Sequence, residues 1–134
     1  MHSYNKRVYF TYYLRHTAGI SMIKDLDPQT FLTACYDGLI RVWDMRKLNS
    51  MTQLKVGDQC WDFVLKDKGK EYVFAAACVY DAAYLMRVTK EWKEVEKVKF
   101  EEHESIVYGV DFIDNEEIVT CSFYDKCLYT WTVT

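Results

Sequence analysis

The chain has 134 residues, a formal net charge of −3, half of its residues hydrophobic, 16% aromatic, and a single proline. There is ample apolar material for a core and no low-complexity tract to favour disorder. The acidic balance argues against nucleic acid as the main partner, because phosphate binding needs a basic face, and no apolar run approaches the roughly 18 residues of a membrane helix.

Val8 to Leu14 is a short, tyrosine-rich β-type run, unlike a secretory leader because Arg15 and His16 follow at once. Ile20 to Ile23 predicts a strand and Asp25-Leu26-Asp27-Pro28 a turn. Phe31 to Cys35 and Leu39 to Trp43 predict two further strands. They are joined through Tyr36-Asp37-Gly38, where Asp bonds its own backbone and Gly accepts positive φ. The run closes on Trp43-Asp44.

Cys60 to Leu65 starts a second unit, followed by a turn at Asp67-Lys68-Gly69-Lys70. A strand at Tyr72 to Val79 contains Ala75-Ala76-Ala77, small side chains suited to close packing, and Ala83 to Val88 forms the next strand. Lys90 to Glu104 is a run of mixed charge in which an outer strand is expected at Glu94 to Phe100. The third unit places strands at Ile106 to Phe112, Ile118 to Ser122 and Cys127 to Trp131, with a turn at Asp114-Asn115-Glu116. Lys126 stands where the first unit has Gly38, so a positive φ is expected at a lysine, at some cost.

The three units repeat with a fixed spacing. Asp37, Asp81 and Asp125 are 44 residues apart, each preceded by a tyrosine (Tyr36, Tyr80, Tyr124) and followed six residues on by Trp43, Arg87 and Trp131. His16 and His103 stand upstream in the first and third units; the second has no counterpart. A period of roughly 40–45 residues that ends in Trp-Asp resembles the WD repeat, one four-stranded blade of a β-propeller. The fold class expected is therefore all-β, about three WD blades at about 16–51, 58–100 and 103–134. Propellers close with roughly 4–8 blades. The chain thus reads as part of a longer, seven-bladed ring, the alternative being a ring completed by other copies through open blade edges. In that fold Val8–Leu14 is the outer strand of a preceding blade, and it is also the right kind of segment to complete the last one.

The WD resemblance implies a structural set of upstream His, strand Ser/Thr, turn Asp and Trp. His16, Thr33, Asp37 and Trp43 match it in the first unit, Asp81 in the second, and His103, Asp125 and Trp131 in the third. These residues read as scaffold rather than catalysts. The second unit, lacking both His and Trp, is expected to be held by packing alone. Trp61, Tyr108, Tyr36, Tyr80 and Tyr124 fall near the end of the propeller where recognition loops gather, and form the candidate recognition face. Packing between blades is the competing role for each of them. The five cysteines, odd in number and without a Cys-x-x-Cys pair, read as small buried hydrophobes in a reducing, cytoplasmic setting. No metal-ligand spacing or cofactor motif is present in the sequence, and neither a metal nor a cofactor is expected.

Several stretches together resemble the C-terminal blades of the diphthine methyltransferase family of WD-repeat proteins. They are His16 to Ile20, Thr33 to Met45, Asp58 to Trp61 with Ala75 to Cys78, Ser105 to Asp111, and Thr120 to Asp125 with Leu128 and Trp131. The resemblance implies hydrolysis of a methyl ester on a modified histidine of translation elongation factor 2, a step in diphthamide biosynthesis. It also implies that the elongation factor is the protein partner. The family's propeller is much longer, and its members commonly carry an insertion where this chain has only Asp114–Glu116. The residues themselves assign no catalytic group: the Gly-x-Ser-x-Gly elbow of α/β-hydrolases is absent, and His103 near Ser105 is better explained as scaffold. Asp62 and Asp111, at matching places on inner strands, are candidates either for a general base or for strand-end caps. The alternative function is a non-catalytic WD scaffold that presents its face to a protein partner.

Overall fold

The structure is a computed structural model and describes residues 17–80, 82–114 and 117–132, with the side chains of 48–51 outside the description. Val8–Leu14, His16, Asp81, Asn115 and Glu116 also lie outside the described residues. The regular elements are β1 (Ile20–Asp27), β2 (Thr30–Cys35), β3 (Leu39–Asp44), β4 (Lys47–Lys55), β5 (Cys60–Asp67), β6 (Glu71–Cys78), β7 (Ala83–Thr89), β8 (Glu94–Phe100), β9 (Val107–Phe112), β10 (Glu117–Ser122) and β11 (Leu128–Thr132). They form three antiparallel sheets in sequential order: β1-β2-β3-β4, β5-β6-β7-β8 and β9-β10-β11. These are WD-repeat blades, two with four strands and one with three among the described residues.

Turn chemistry sets the strand ends. The first hairpin differs from the expected Asp25–Pro28 turn: β1 continues to Asp27, and the reversal is confined to Pro28 and Gln29. Asp27 Oδ1 accepts the Gln29 N–H at 2.8 Å, so the acidic residue closes a tighter turn than its neighbours predict. Asp67 does the same for the Gly69 N–H at 2.8 Å, and Asp44 for the Arg46 N–H at 2.9 Å.

Packing follows from the period-2 alternation of β6. Phe74, Ala76 and Cys78 point to the first sheet and join Leu32, Ala34, Ile40, Val42, Phe63 and Met86 in one buried cluster. Ala75 and Ala77 point the other way and join Val107, Val110 and Ile118 in a second. The alanines let both neighbouring sheets come close, and each buried Leu, Ile, Phe or Met contributes about 1.5–3 kcal/mol. As a result the three first strands converge, with β5 against β1 on one side and β9 on the other. The cysteines divide between two environments: Cys35, Cys60 and Cys78 are buried as expected, but Cys121 is exposed and Cys127, in the turn before β11, is half-buried.

Each first strand also carries one extra residue near its start. The pairing skips Ser21 between Ile20 and Met22, Trp61 between Cys60 and Asp62, and Tyr108 between Val107 and Gly109. Three bulges at one structural position re-aim three side chains to the same end of the strands.

Positive φ occurs at Gly38, Gly69, Trp92 and Lys126, and the first and last of these, in corresponding turns, differ in cause. Gly38 (φ 81°) has no room for a side chain, since a Cβ would lie 2.1 Å from the Asp58 carbonyl oxygen. Lys126, in the corresponding turn of the third blade, holds φ 61° with a side chain. Gly38→Ala is expected to lower the unfolding free energy by about 2 kcal/mol or more, from left-handed strain plus the backbone clash. Lys126→Gly is expected to raise it by up to about 1 kcal/mol, the relief of strain exceeding the added chain entropy. Denaturant titration of the two variants checks both signs.

Candidate functional site

The third blade carries a closed chain of hydrogen bonds. Trp131 Nε1–H donates to Thr120 Oγ1 at 2.8 Å, and the Thr120 hydroxyl meets His103 Nε2 at 2.8 Å. His103 Nδ1 lies 2.8 Å from Asp125 Oδ2, and Asp125 also accepts the Glu104 and Cys127 N–H groups. With the imidazole proton on Nδ1 every member is satisfied: Trp to Thr, Thr to His, His to Asp. Thr120 and His103 are buried, so the chain has little access to water. Thr120 is the member the sequence reading left unassigned, because one more residue stands between it and the turn aspartate than between Thr33 and Asp37.

In the first blade Trp43 Nε1–H donates to Thr33 Oγ1 at 2.9 Å. Asp37 accepts from the Leu39 N–H, from Arg41 and from the Thr17 hydroxyl, each at 3.0 Å. Burial works against the Asp37 carboxylate, but hydrogen bonds from Cys35, Arg41, Leu39 and Thr17 outweigh it and hold its pKa far below the usual carboxylate range.

The second blade is not held by packing alone. Arg87, standing where the other units have Trp, forms a two-pronged bond to Glu71 (2.8 and 2.9 Å) and a third bond to Glu96 (2.8 Å), tying β6, β7 and β8 together. At the turn, Asp58 from the connection before β5 accepts the Tyr80 N–H at 3.1 Å. The usual polarity is reversed here, with the carboxylate upstream and the N–H in the turn.

The aromatic candidates meet in one array across the three blades. Tyr36 lies 5.6 Å from Trp61, and Trp61 lies 5.1 Å from Tyr108 with the ring planes at 84°. Tyr108 is 6.2 Å from Tyr124 and 6.4 Å from Phe123. Trp61 and Tyr108 are two of the bulged residues, which explains how strand residues reach the rim. Tyr80, 67% exposed, makes no ring contact with this array among the described residues. Phe123, 76% exposed, belongs to it but was not among the candidates. Its signal in the sequence is an apolar aromatic placed directly before the turn Tyr-Asp.

Below the rim, Asp62 and Asp111 border an open cavity of about 280 Å³ with Gly109, Val119, Cys121 and Leu128. Gly109 lies close to Cys121, whose Sγ would stand 2.9 Å from a Cβ placed there. Burial raises the Asp62 pKa and the neighbouring Asp111 adds to it, while N–H bonds from Phe63 and Val110 and the Lys24 charge pull the other way. Asp62 is thus both a strand-to-strand cap, through Val110, and a carboxyl more basic than usual.

Asp37→Ala is expected to cost about 1–3 kcal/mol at neutral pH, as is Thr120→Val, because each leaves buried partners without a bond. The folded Asp37 pKa is depressed, so its contribution is present above the ordinary carboxylate pKa and is lost as pH falls toward the folded value. The gap between wild type and Asp37→Ala should therefore narrow in acid, as denaturant midpoints across a pH series will read out.

Comparison with known proteins places these features in a family. The family described as WD domain, G-beta repeat matches residues 8–44 and 94–132, more than half of the chain. The chain is 29% identical to the diphthine methyltransferase of Saccharomyces cerevisiae, over 88% of this chain and 38% of that protein. It is also 29% identical to the diphthine methyltransferase homolog of Dictyostelium discoideum, over 72% of this chain and 30% of that protein. It thus spans about a third of the length of these curated relatives. The chain belongs to the WD domain, G-beta repeat family and, within it, resembles diphthine methyltransferase.

Proposed function

We propose that the chain is part of a carboxylic ester hydrolase of diphthamide biosynthesis, which removes the methyl ester from diphthine methyl ester on translation elongation factor 2. The observation that carries this reading is the similarity, over 88% of the chain, to a protein named diphthine methyltransferase. The site offers chemistry in keeping with it. Water adds to the ester carbonyl, the tetrahedral intermediate collapses, methoxide leaves and is protonated to methanol, and a carboxylate remains. The step needs a base for the attacking water, and a carboxylate whose pKa is raised toward neutrality takes that proton more readily than an ordinary one. Asp62 has this character and lies beside the cavity beneath the aromatic rim. The rim rings supply broad, rigid contact area for a modified side chain on a protein surface.

Mass spectrometry of the modified-histidine peptide of elongation factor 2, from cells in which the gene is disrupted, is expected to show accumulated methyl ester. Fully formed diphthamide in those cells would overturn the reading.

Asp62→Asn tests the base. It is expected to lower turnover by about 10²-fold or more while keeping the fold, since the amide oxygen still accepts the Phe63 and Val110 N–H groups. Stability should move the other way. The folded Asp62 pKa is raised, so its favourable contribution is present at low pH and is lost as pH rises through the folded value. The variant should thus gain on wild type as pH increases above the ordinary carboxylate range. Unchanged turnover would remove Asp62 from the chemistry.

A further inference from the structure

We propose that Lys24, on the first strand of the first blade, supplies the positive charge that stabilises the oxyanion formed when the ester carbonyl is attacked beside Asp62. The inference rests on the hydrolase reading and adds a second catalytic group to the base named there.

Three observations lead there. The first is the place of Lys24 in its strand. Alternate residues of β1 share a face, and Met22, Lys24 and Leu26 are half-buried while Ile23, Asp25 and Asp27 are exposed. Met22 and Leu26 pack against the cluster that holds Phe63 and Phe74, so the face carrying Lys24 is turned to the second sheet. A lysine between two core-facing apolar residues breaks the local pattern, and such departures mark sites where a side chain is kept for its chemistry. Its stem lies along apolar surface while its head keeps to the open edge.

The second is the place of Lys24 relative to Asp62. The Ser21 hydroxyl donates to the Cys60 carbonyl at 2.7 Å, which fastens the start of β1 to the start of β5. From that tie Lys24 lies three residues along one strand and Asp62 two along the other. The Lys24 charge reaches the Asp62 carboxyl and favours its ionised form. β5 lies between β1 and β9, and Asp111 on β9 acts on Asp62 with the opposite sign. An ester carbonyl over β5 with its oxygen toward β1 therefore builds its negative charge next to the cation and away from Asp111.

The third is that the Lys24 ammonium is uncommitted. The other half-buried lysines are engaged: Lys66 donates to the Asp114 carbonyl at 2.6 Å and lies over the Phe112 ring, and Lys90 pairs with Asp67 at 2.5 Å and covers the Tyr72 ring. Among the described residues Lys24 has no hydrogen bond and no ion pair.

The step balances with these two groups. Water gives a proton to the Asp62 carboxylate as its oxygen bonds to the ester carbon, and the carbonyl electron pair moves onto oxygen beside Lys24. The intermediate collapses with loss of methoxide, which takes the proton from Asp62 and leaves as methanol. The acid product then releases a proton to solvent. A fixed positive charge acts on the oxyanion more than on the neutral ester, which is what lowers a barrier.

The test measures methanol release by the full-length protein from methyl-esterified elongation factor 2, isolated from the cells with the disrupted gene. Lys24→Met, which keeps the apolar stem, is expected to lower kcat by about 10²-fold or more with KM unchanged, because the interaction is made only in the transition state. Lys24→Arg should restore part of the loss. Since kcat/KM rises with pH as Asp62 ionises, and loss of the Lys24 charge makes that ionisation harder, the acidic limb of the profile should move to higher pH in Lys24→Met. A purely structural lysine would leave that limb where it is. Should Lys24→Met fail to fold, Lys24→Gln takes its place. An unchanged kcat, a raised KM with kcat intact, or an unmoved acidic limb would overturn the proposal. Methanol release by wild type and variant alike removes Lys24 alone and leaves the hydrolase reading standing; no release by wild type removes both.

Discussion

The close approach of the second sheet to its two neighbours is the constraint on which the rest of the structure depends. β6 sits between two buried clusters and serves both, sending Phe74, Ala76 and Cys78 one way and Ala75 and Ala77 the other. A residue larger than alanine at the central positions would push the sheets apart in a core that has no spare volume. The approach also draws β1, β5 and β9 together at their starts, where the bulges lie. The aromatic rim is therefore a consequence of blade packing as well as of its own rings. Trp61 and Tyr108 meet because the strands beneath them are held at the spacing that Ala75 and Ala77 permit.

Polar ties act at the turns and differ from blade to blade. The third blade uses a buried chain in which one hydroxyl, Thr120, both receives and donates, so the loss of that atom separates tryptophan from histidine. The first blade concentrates its bonds on Asp37, with Arg41 as a buried cationic partner. The second blade uses Arg87 and two glutamates instead, at a position 40% exposed, where ion pairs contribute little by themselves. Its cohesion comes mainly from the fact that both its faces are covered.

The strand pattern was largely legible in the sequence because hydrophobic alternation and turn residues act locally. Glu94–Phe100, a charge run of ambiguous periodicity, took its strand assignment from the repeat spacing and is β8. The positive φ at Lys126 followed from its alignment with Gly38. What local signals did not carry were features set by partners far apart in the chain. Thr120 was not singled out in the third unit, where the turn is one residue longer than in the first. The role of Arg87 depends on Glu71 and Glu96, which lie opposite it on other strands and are not marked by any spacing from it. Phe123 joins the rim through Tyr108, which reaches it from the neighbouring strand, and through Tyr124 beside it. The Asp27 turn was misplaced by two residues for a different reason: a proline preceded by two aspartates allows several reversals, and strand pairing selects one.

Lys126 and Asp62 carry local costs at the same end of the molecule as the rim, while Trp92 (φ 66°) holds a left-handed conformation in the β7–β8 turn at the other end. Lys126 holds a backbone conformation that suits glycine, in the turn that carries Tyr124 and Phe123. Asp62 keeps a carboxyl where burial disfavours its charge, directly after the bulged Trp61. A bulge at Trp61 gives up a position in the ladder between β5 and β6. None of these choices improves packing, and each is compensated by the two buried clusters on either side of β6. Such local costs persist only where the surrounding structure over-determines them. The rigid part of the chain is thus the interleaved core of the three sheets, and the rim with its acidic floor is the part whose geometry that core maintains.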